Sequence, residues 1–123
     1  MLWVEIADTP EKQRSGLMFR KKLSSESGML FKFSYPQKLK FWGFNTFIPL
    51  DIAFVSKDNI ITNINSIEPL SKNTVASSSD CVIAIEANKG FFEINNIRPG
   101  DKIILSDNND EDKHLVVFDK NRG

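Results

Sequence analysis

The chain has 123 residues, of which 16 are basic and 16 acidic, so its formal net charge is zero. One domain is the expected number at this length, and the balanced charge argues against the cationic surface that nucleic-acid binding requires. A single cysteine and a single histidine exclude an intrachain disulfide and a Cys/His zinc site built from one chain.

The first predicted elements are a strand and a short helix. Apolar and polar residues roughly alternate over residues 2–7, a pattern typical of a strand. Asp8 or Thr9 then offers a helix N-cap, and Pro10 fits the first turn, where its missing N–H is not needed. Gly16 provides a C-terminal stop, so the helix is expected to end within two turns.

From Gly28 onward, short apolar runs separated by turn residues predict a β-rich chain. Tyr35-Pro36 closes the first of these strands, and Asp58-Asn59 forms a hairpin turn. A short helix is predicted within 90–95, and residues 98–101 form a type II turn. Residues 66–80 are the one long irregular stretch. The strands are predicted at residues 29–33, 39–42, 52–55, 60–64, 81–86, 102–105 and 115–118. This pattern predicts a mainly antiparallel β sandwich or barrel with one or two short helices.

Five ordered motifs resemble those of a known family. They comprise residues 4–11, Arg14 with 16–20, residues 28–31, the segment 41–54, and Glu86, Gly90 and 99–101. Together they resemble the DUF192 (UPF0127) family of small bacterial and archaeal proteins over residues 4–105. The resemblance implies a compact, jelly-roll-like β domain but no reaction, because the family is named for having no assigned function. We expect one domain over 1–123, with an acidic loop and a final strand at 106–123.

The sequence departs from the family pattern in two places. The family usually has Met and a basic or other polar residue where Gly43 and Phe44 stand, so a ligand contact by a cation there would be missing. The stretch before Glu86 is usually longer, richer in proline and sometimes carries paired cysteines. Here it is shorter, with three serines at 77–79 and the single Cys81.

Segment 41–54 carries the strongest candidates for a binding site. Phe41 and Trp42 must face opposite sides of a regular strand, and Lys40, on the same face as Trp42, is a residue type that is rarely buried. Core packing is the commoner role for tryptophan. The alternative hypothesis is that Trp42 lines a shallow pocket beside Asn45 and Thr46, two residues that more often bond backbone groups in a turn.

Asp51 precedes an apolar strand, and we expect it to be mostly buried and bonded to an arginine or to backbone N–H groups. Arg14 and Arg20 suit carboxylate or phosphate ligands, but an internal salt bridge to Asp51 or Asp8 is the simpler expectation.

Two functions follow. The first is a non-catalytic module that binds a small molecule or a protein partner, with residues 66–80 as a cover. The second is a small enzyme with Asp51 as acid or base beside an arginine. The proposed binding residues are Arg14, Arg20, Trp42, Asn45, Thr46 and Asp51.

The remaining candidates have simpler explanations. His114 is expected on the surface, Cys81 as a small buried residue at a strand start, and the acidic residues 107–112 as a solvated loop rather than a calcium site. No metal site, cofactor, nucleic-acid face or transmembrane segment is predicted. The first residues lack a signal-peptide pattern, so the chain as written is expected in the cytoplasm, or exported if a leader has been removed.

Overall fold

The computed structural model describes residues 1–106 and 114–120, and the acidic residues 107–112 lie outside them. The elements in chain order are β1 (Leu2–Ala7), α1 (Pro10–Ser15), β2 (Ser27–Gln37), β3 (Lys40–Trp42), β4 (Leu50–Val55), β5 (Ile61–Ile67), β6 (Thr74–Ala76), β7 (Cys81–Asn88), α2 (Phe91–Ile94), β8 (Lys102–Ser106) and β9 (His114–Asp119). The prediction of a mainly β fold with two short helices is confirmed. No helix within the two described ranges is long and apolar enough to cross a membrane.

Seven strands form one curled sheet in the order β5-β4-β7-β2-β1-β9-β8, and β3 pairs with β6 in a separate ribbon. The two edges of the sheet approach each other, because the N–H of Ile61 donates to the carbonyl of Asp101 at 2.9 Å. The N–H of Gly100 returns a bond of 2.8 Å to the carbonyl of Ile61. The sheet is therefore a half-barrel that is nearly closed at this end.

Within the mainly antiparallel fold one strand pair is parallel, namely β1 with β2. Parallel neighbours need a crossover of a dozen residues or more, and residues 8–26, which include α1, provide it. Thr9 caps α1 by accepting a bond of 3.2 Å from the N–H of Lys12, and Gly16 ends the helix with φ 47°. The crossover places α1 against β2, where the Gln13 side chain donates to the carbonyl of Lys32 at 2.8 Å.

Alternating side chains of the sheet build two cores, one on each face. Leu30 belongs to one core, together with Phe91 and Phe92 of α2. Phe31 belongs to the core on the other face, which is covered by the crossover and by the β3–β6 ribbon. We call the crossover and the ribbon together the covering layer.

Two further details differ from the sequence-based expectation. Strand β2 does not stop at Tyr35-Pro36 but continues to Gln37, with a register shift after Lys32. The stretch 66–80 is not wholly irregular, because it contains the end of β5 and all of β6. The three residues of β6 carry little pattern of their own, and their pairing with β3 defines the strand.

Candidate functional site

A cavity of about 580 Å³ lies between the sheet and the covering layer. Aromatic and aliphatic side chains form most of its wall, namely Leu17, Met18, Phe31, Phe33, Phe41, Trp42 and Phe44. The side chains of Arg14 and Lys40, both exposed, also line it, and Glu86 borders it from the sheet. We call this space the aromatic cavity. Its apolar wall and few polar groups are typical of small-molecule sites.

Glu86 contributes a buried carboxyl group to the aromatic cavity. The register of β7 places Glu86 directly opposite Met29 of β2 and Ile52 of β4. Its exposure is only 5%, and its side chain makes no hydrogen bond or ion pair with any other residue in 1–106 or 114–120. Burial raises the pKa of Glu86 to about 8, because the charged form loses its hydration. The carboxyl group is therefore mostly protonated at neutral pH.

Trp42 walls the aromatic cavity rather than filling the core. Its ring stacks on Phe44 with centroids 5.0 Å apart, and 44% of the residue is exposed. Phe41 lies on the opposite face of β3, as predicted, and packs edge-on against Phe31 at 4.8 Å; both of these rings also border the aromatic cavity. The preceding Leu39, on the face of Phe41, is 3% exposed.

Residues 43–46 form a tight loop at one side of the aromatic cavity. A Cβ atom on Gly43 would stand 2.0 Å from the carbonyl oxygen of Glu68, so only glycine fits this backbone. Asn45 has φ 55°, and its carbonyl accepts a bond of 2.8 Å from the N–H of Phe19. The Thr46 hydroxyl donates to the carbonyl of Phe44 at 3.2 Å. Thr46 lines the cavity, whereas Asn45 does not.

Asp51 is half-buried and lies outside the aromatic cavity, in a cleft of about 360 Å³. Its Oδ2 accepts from the N–H of Gly90 at 2.8 Å, and its Oδ1 from the hydroxyl of Ser66 at 2.7 Å. The expected bond to a backbone N–H is present. The expected pairing with an arginine is not seen within the described ranges, because Asp51 instead holds the chain at the start of α2.

Arg20 and Arg14 have different surroundings. Arg20 forms a two-pronged pair with Glu5, with N–O distances of 2.5 and 2.9 Å, and not with Asp51 or Asp8 as expected. This pair lines a third space, a cleft of about 740 Å³ next to β1. The hydrogen bonds to Glu5 raise the pKa of Arg20. Arg14 makes no ion pair with another described residue and is exposed beside the aromatic cavity.

Cys81 and His114 are the two remaining residues that the sequence singled out, and only Cys81 has the predicted burial. Cys81 is fully buried at the start of β7, as predicted. His114 is half-buried rather than on the surface, and its Nδ1 is enclosed without a hydrogen-bond partner in the described part of the chain. In those same ranges no group of three or more His, Cys, Asp or Glu residues could hold a metal ion.

The six predicted site residues thus do not converge. Arg14, Trp42 and Thr46 share the aromatic cavity, while Arg20 and Asp51 line the two separate clefts. Sequence reasoning did not propose Glu86 as a site residue. Two signals were available: Glu86 belongs to the last of the five family-like motifs, and it is a single acidic residue at the end of the apolar run 81–85 in a predicted strand.

A family model matches residues 1–105, and its family is DUF192, described as "Uncharacterized ACR". The chain belongs to the DUF192 family. Two solved structures are similar to this DUF192 protein. One, from Sinorhizobium meliloti 1021 and described as a proposed transcription regulator, has a TM-score of 0.80 and 32% identity over 82% of this chain and 79% of its own. The other, from Novosphingobium aromaticivorans DSM 12444 and of unknown function, has a TM-score of 0.78 and 38% identity, covering 80% and 71%.

No curated protein sequence matches the chain significantly. Phe44 extends the aromatic wall beside Trp42.

Proposed function

We propose that this DUF192 protein is a non-catalytic binding domain whose small-molecule ligand occupies the aromatic cavity. The observation that carries the proposal is the carboxyl group of Glu86, buried at the cavity and without a partner within the described residues. Buried polar groups in native proteins nearly always have a hydrogen-bond partner, and one without a partner needs an explanation. A ligand in the aromatic cavity would supply that partner.

The composition of the wall supports binding rather than catalysis. Acid–base catalysis normally uses a second positioned group beside the first. The other described polar residues of the wall are weak candidates, because Arg14 and Lys40 are exposed and the Thr46 hydroxyl is already bonded to a backbone carbonyl. The aromatic surface around Glu86 is suited to holding an apolar ligand body.

Catalysis is the second candidate, and it would depend on Glu86 rather than on Asp51. An acid with a pKa of about 8 is protonated, yet close to titration, near neutral pH. Both oxygens of Asp51 already accept hydrogen bonds that hold neighbouring segments together. Asp51 also lies in a different cleft from Trp42, which argues against Asp51 as the acid or base of a reaction in the aromatic cavity.

The Sinorhizobium protein is described as a proposed transcription regulator, but the balanced charge of this chain does not favour DNA binding. DNA-binding proteins gain most of their affinity from phosphate contacts made by clustered basic residues. This chain has equal numbers of basic and acidic residues. A small-molecule site therefore agrees better with its charge than a nucleic-acid surface does.

A fragment screen by amide NMR on the ¹⁵N-labelled full chain tests the proposal. We expect fragments to shift the amide signals of residues 41–46 and 84–88. Trp42→Ala should weaken these fragments about tenfold or more, since the loss of an aromatic wall commonly costs over 1 kcal/mol. Trp3→Ala is the matched control, because Trp3 is a similarly exposed tryptophan outside the aromatic cavity. Shifts confined to the clefts of Arg20 or Asp51, or no shifts at all, would contradict the proposal.

A further inference from the structure

We propose that the aromatic cavity recognises a primary ammonium group carried on an apolar body, with the ammonium paired to Glu86 and the body against Trp42 and Phe44. This inference rests on the proposed function of the cavity and names the class of its ligand. Glu86 comes from the sheet, Trp42 from β3 and Phe44 from the loop after β3, and all three line this space.

The buried carboxyl group of Glu86 needs a hydrogen-bonding or ionic partner. Glu86 is 5% exposed and is the one acidic residue among the described residues lining the aromatic cavity. A carboxylate can accept several hydrogen bonds, and an ammonium group carries three N–H donors together with the opposite charge. An ionised carboxylate in an apolar site is costly unless it is paired. An ammonium ligand removes this cost, whereas an alcohol contributes only a neutral hydrogen bond.

The aromatic wall of the cavity also suits a ligand with a positive charge and an apolar body. The rings of Trp42 and Phe44 lie 5.0 Å apart and tilt by 30°, so together they form a continuous surface beside the space next to Glu86. Ring faces attract cations, and tryptophan is the strongest of the aromatic residues in this respect. The same rings provide apolar area for the ligand body.

The charges near Glu86 are few. Its neighbours within the sheet, Met29 and Ile52, are uncharged. The covering layer contributes Arg14 from α1 and Lys40 from β3, and both are exposed, so water and salt screen them. On the next strand, Glu5 is opposite Met29 and is paired with Arg20. Glu86, once ionised, is therefore the least screened charge among the described groups that line the cavity.

Ionisation of Glu86 gives the inference a signature that a neutral ligand lacks. Burial raises the pKa of Glu86 to about 8, so the empty cavity carries the proton at pH 7. An ammonium ligand favours the carboxylate and expels that proton into solvent. Below pH 8, the affinity should rise by nearly tenfold per pH unit, because one proton is released for each ligand bound. The affinity should fall again when the ligand amine itself loses its proton, near pH 10 for an alkylamine.

Calorimetric titration of the full chain with benzylamine, benzyl alcohol and benzoate tests the inference. Each titration is run at pH 6, 7 and 8, in two buffers with different ionisation enthalpies, so that protons released can be counted. We expect benzylamine to bind at least about tenfold more tightly than the other two at pH 8. We expect nearly one proton released for each benzylamine bound at pH 7.

Two variants complete the experiment. Glu86→Gln should abolish the proton release and weaken benzylamine about tenfold or more, while Glu26→Gln, which changes an exposed glutamate outside the cavity, should change neither. Circular dichroism checks that both variants fold. The dependence of benzylamine affinity on pH is measured on the unsubstituted chain, so that test does not depend on the folding of a variant.

The outcomes separate the two proposals. Benzoate or benzyl alcohol binding as tightly as benzylamine, with shifts at Trp42, would refute the ammonium inference and leave the cavity proposal standing. Affinity for benzylamine that does not change between pH 6 and 8 would refute it too. If none of the three probes binds at tens of millimolar, the ammonium inference is wrong, and the fragment screen decides the cavity proposal independently.

Discussion

Glu86 should make the stability of the empty protein depend on pH between about 4.5 and 8. The folded chain keeps the proton on Glu86 up to a pKa of about 8, whereas the ordinary glutamate pKa is 4.5. Below 4.5, both states are protonated and nothing is lost. As the pH rises above 4.5, release of the proton lowers the free energy of the unfolded chain, whereas the folded chain keeps its proton and is not stabilised in this way. The difference between the two pKa values corresponds to about 4 kcal/mol of stability lost by pH 8, and to about 5 kcal/mol at higher pH.

The substitution Glu86→Gln isolates this effect, because glutamine has nearly the same shape and does not titrate. Urea denaturation at pH 5, 6, 7 and 8 gives the free energy of unfolding for both proteins. The free energy of unfolding of Glu86→Gln minus that of the unsubstituted chain should grow by several kcal/mol from pH 5 to pH 8. The contributions of all other titrating groups cancel in this difference. The variant Glu26→Gln should show no such growth. An advantage of Glu86→Gln that is the same at pH 5 and pH 8 would refute the reasoning.

Three further substitutions test the surroundings of the candidate site. Asp51→Ala should lower the free energy of unfolding by about 1–3 kcal/mol in urea denaturation, because the N–H of Gly90 and the hydroxyl of Ser66 lose their acceptor; an unchanged value would contradict this. Trp42→Ala should cost less than the roughly 3–5 kcal/mol typical of a core tryptophan, since Trp42 is largely exposed; a loss in that range would place it in the core. Gly43→Ala should destabilise by about 1–3 kcal/mol or more, because its Cβ meets a backbone carbonyl at 2.0 Å; a melting temperature equal to that of the unsubstituted chain would show that the loop can shift.

The sequence correctly predicted those features that depend on residues close together in the chain, such as helix caps and the two faces of a strand. Thr9 and Pro10 mark the start of α1, and Gly16 marks its end, because capping needs only neighbours in the sequence. The alternation of Lys40, Phe41 and Trp42 correctly assigned the two faces of β3. The parallel pairing of β1 with β2 was not predicted, since strand partners depend on contacts between distant segments.

The site was only partly predictable for the same reason. The pairing of an arginine with Asp51 is an electrostatic expectation that ignores distance, and in the fold Asp51 faces the N–H of Gly90 while Arg20 faces Glu5. Glu86 could be noticed in the sequence as an acid beside an apolar run. Its isolation could not be predicted, because it depends on which residues of β2, β4 and the covering layer surround it.

Two residues with positive φ lie in the segments that flank the aromatic cavity. Phe19 has φ 65°, a backbone conformation that bulky residues rarely adopt, and its N–H bonds the carbonyl of Asn45, which has φ 55°. This bond ties the crossover to the loop after β3, and the two segments flank the aromatic cavity. Strained backbone and a buried unpaired acid are features that packing alone does not favour, and their coincidence is characteristic of functional sites. In the proposed binding site, the sheet contributes the acidic group of Glu86, and the aromatic rings of Trp42 and Phe44 contribute the apolar wall. Substitutions at Trp42 or Phe44 should accordingly alter ligand selection with less effect on folding than substitutions at buried positions of the sheet.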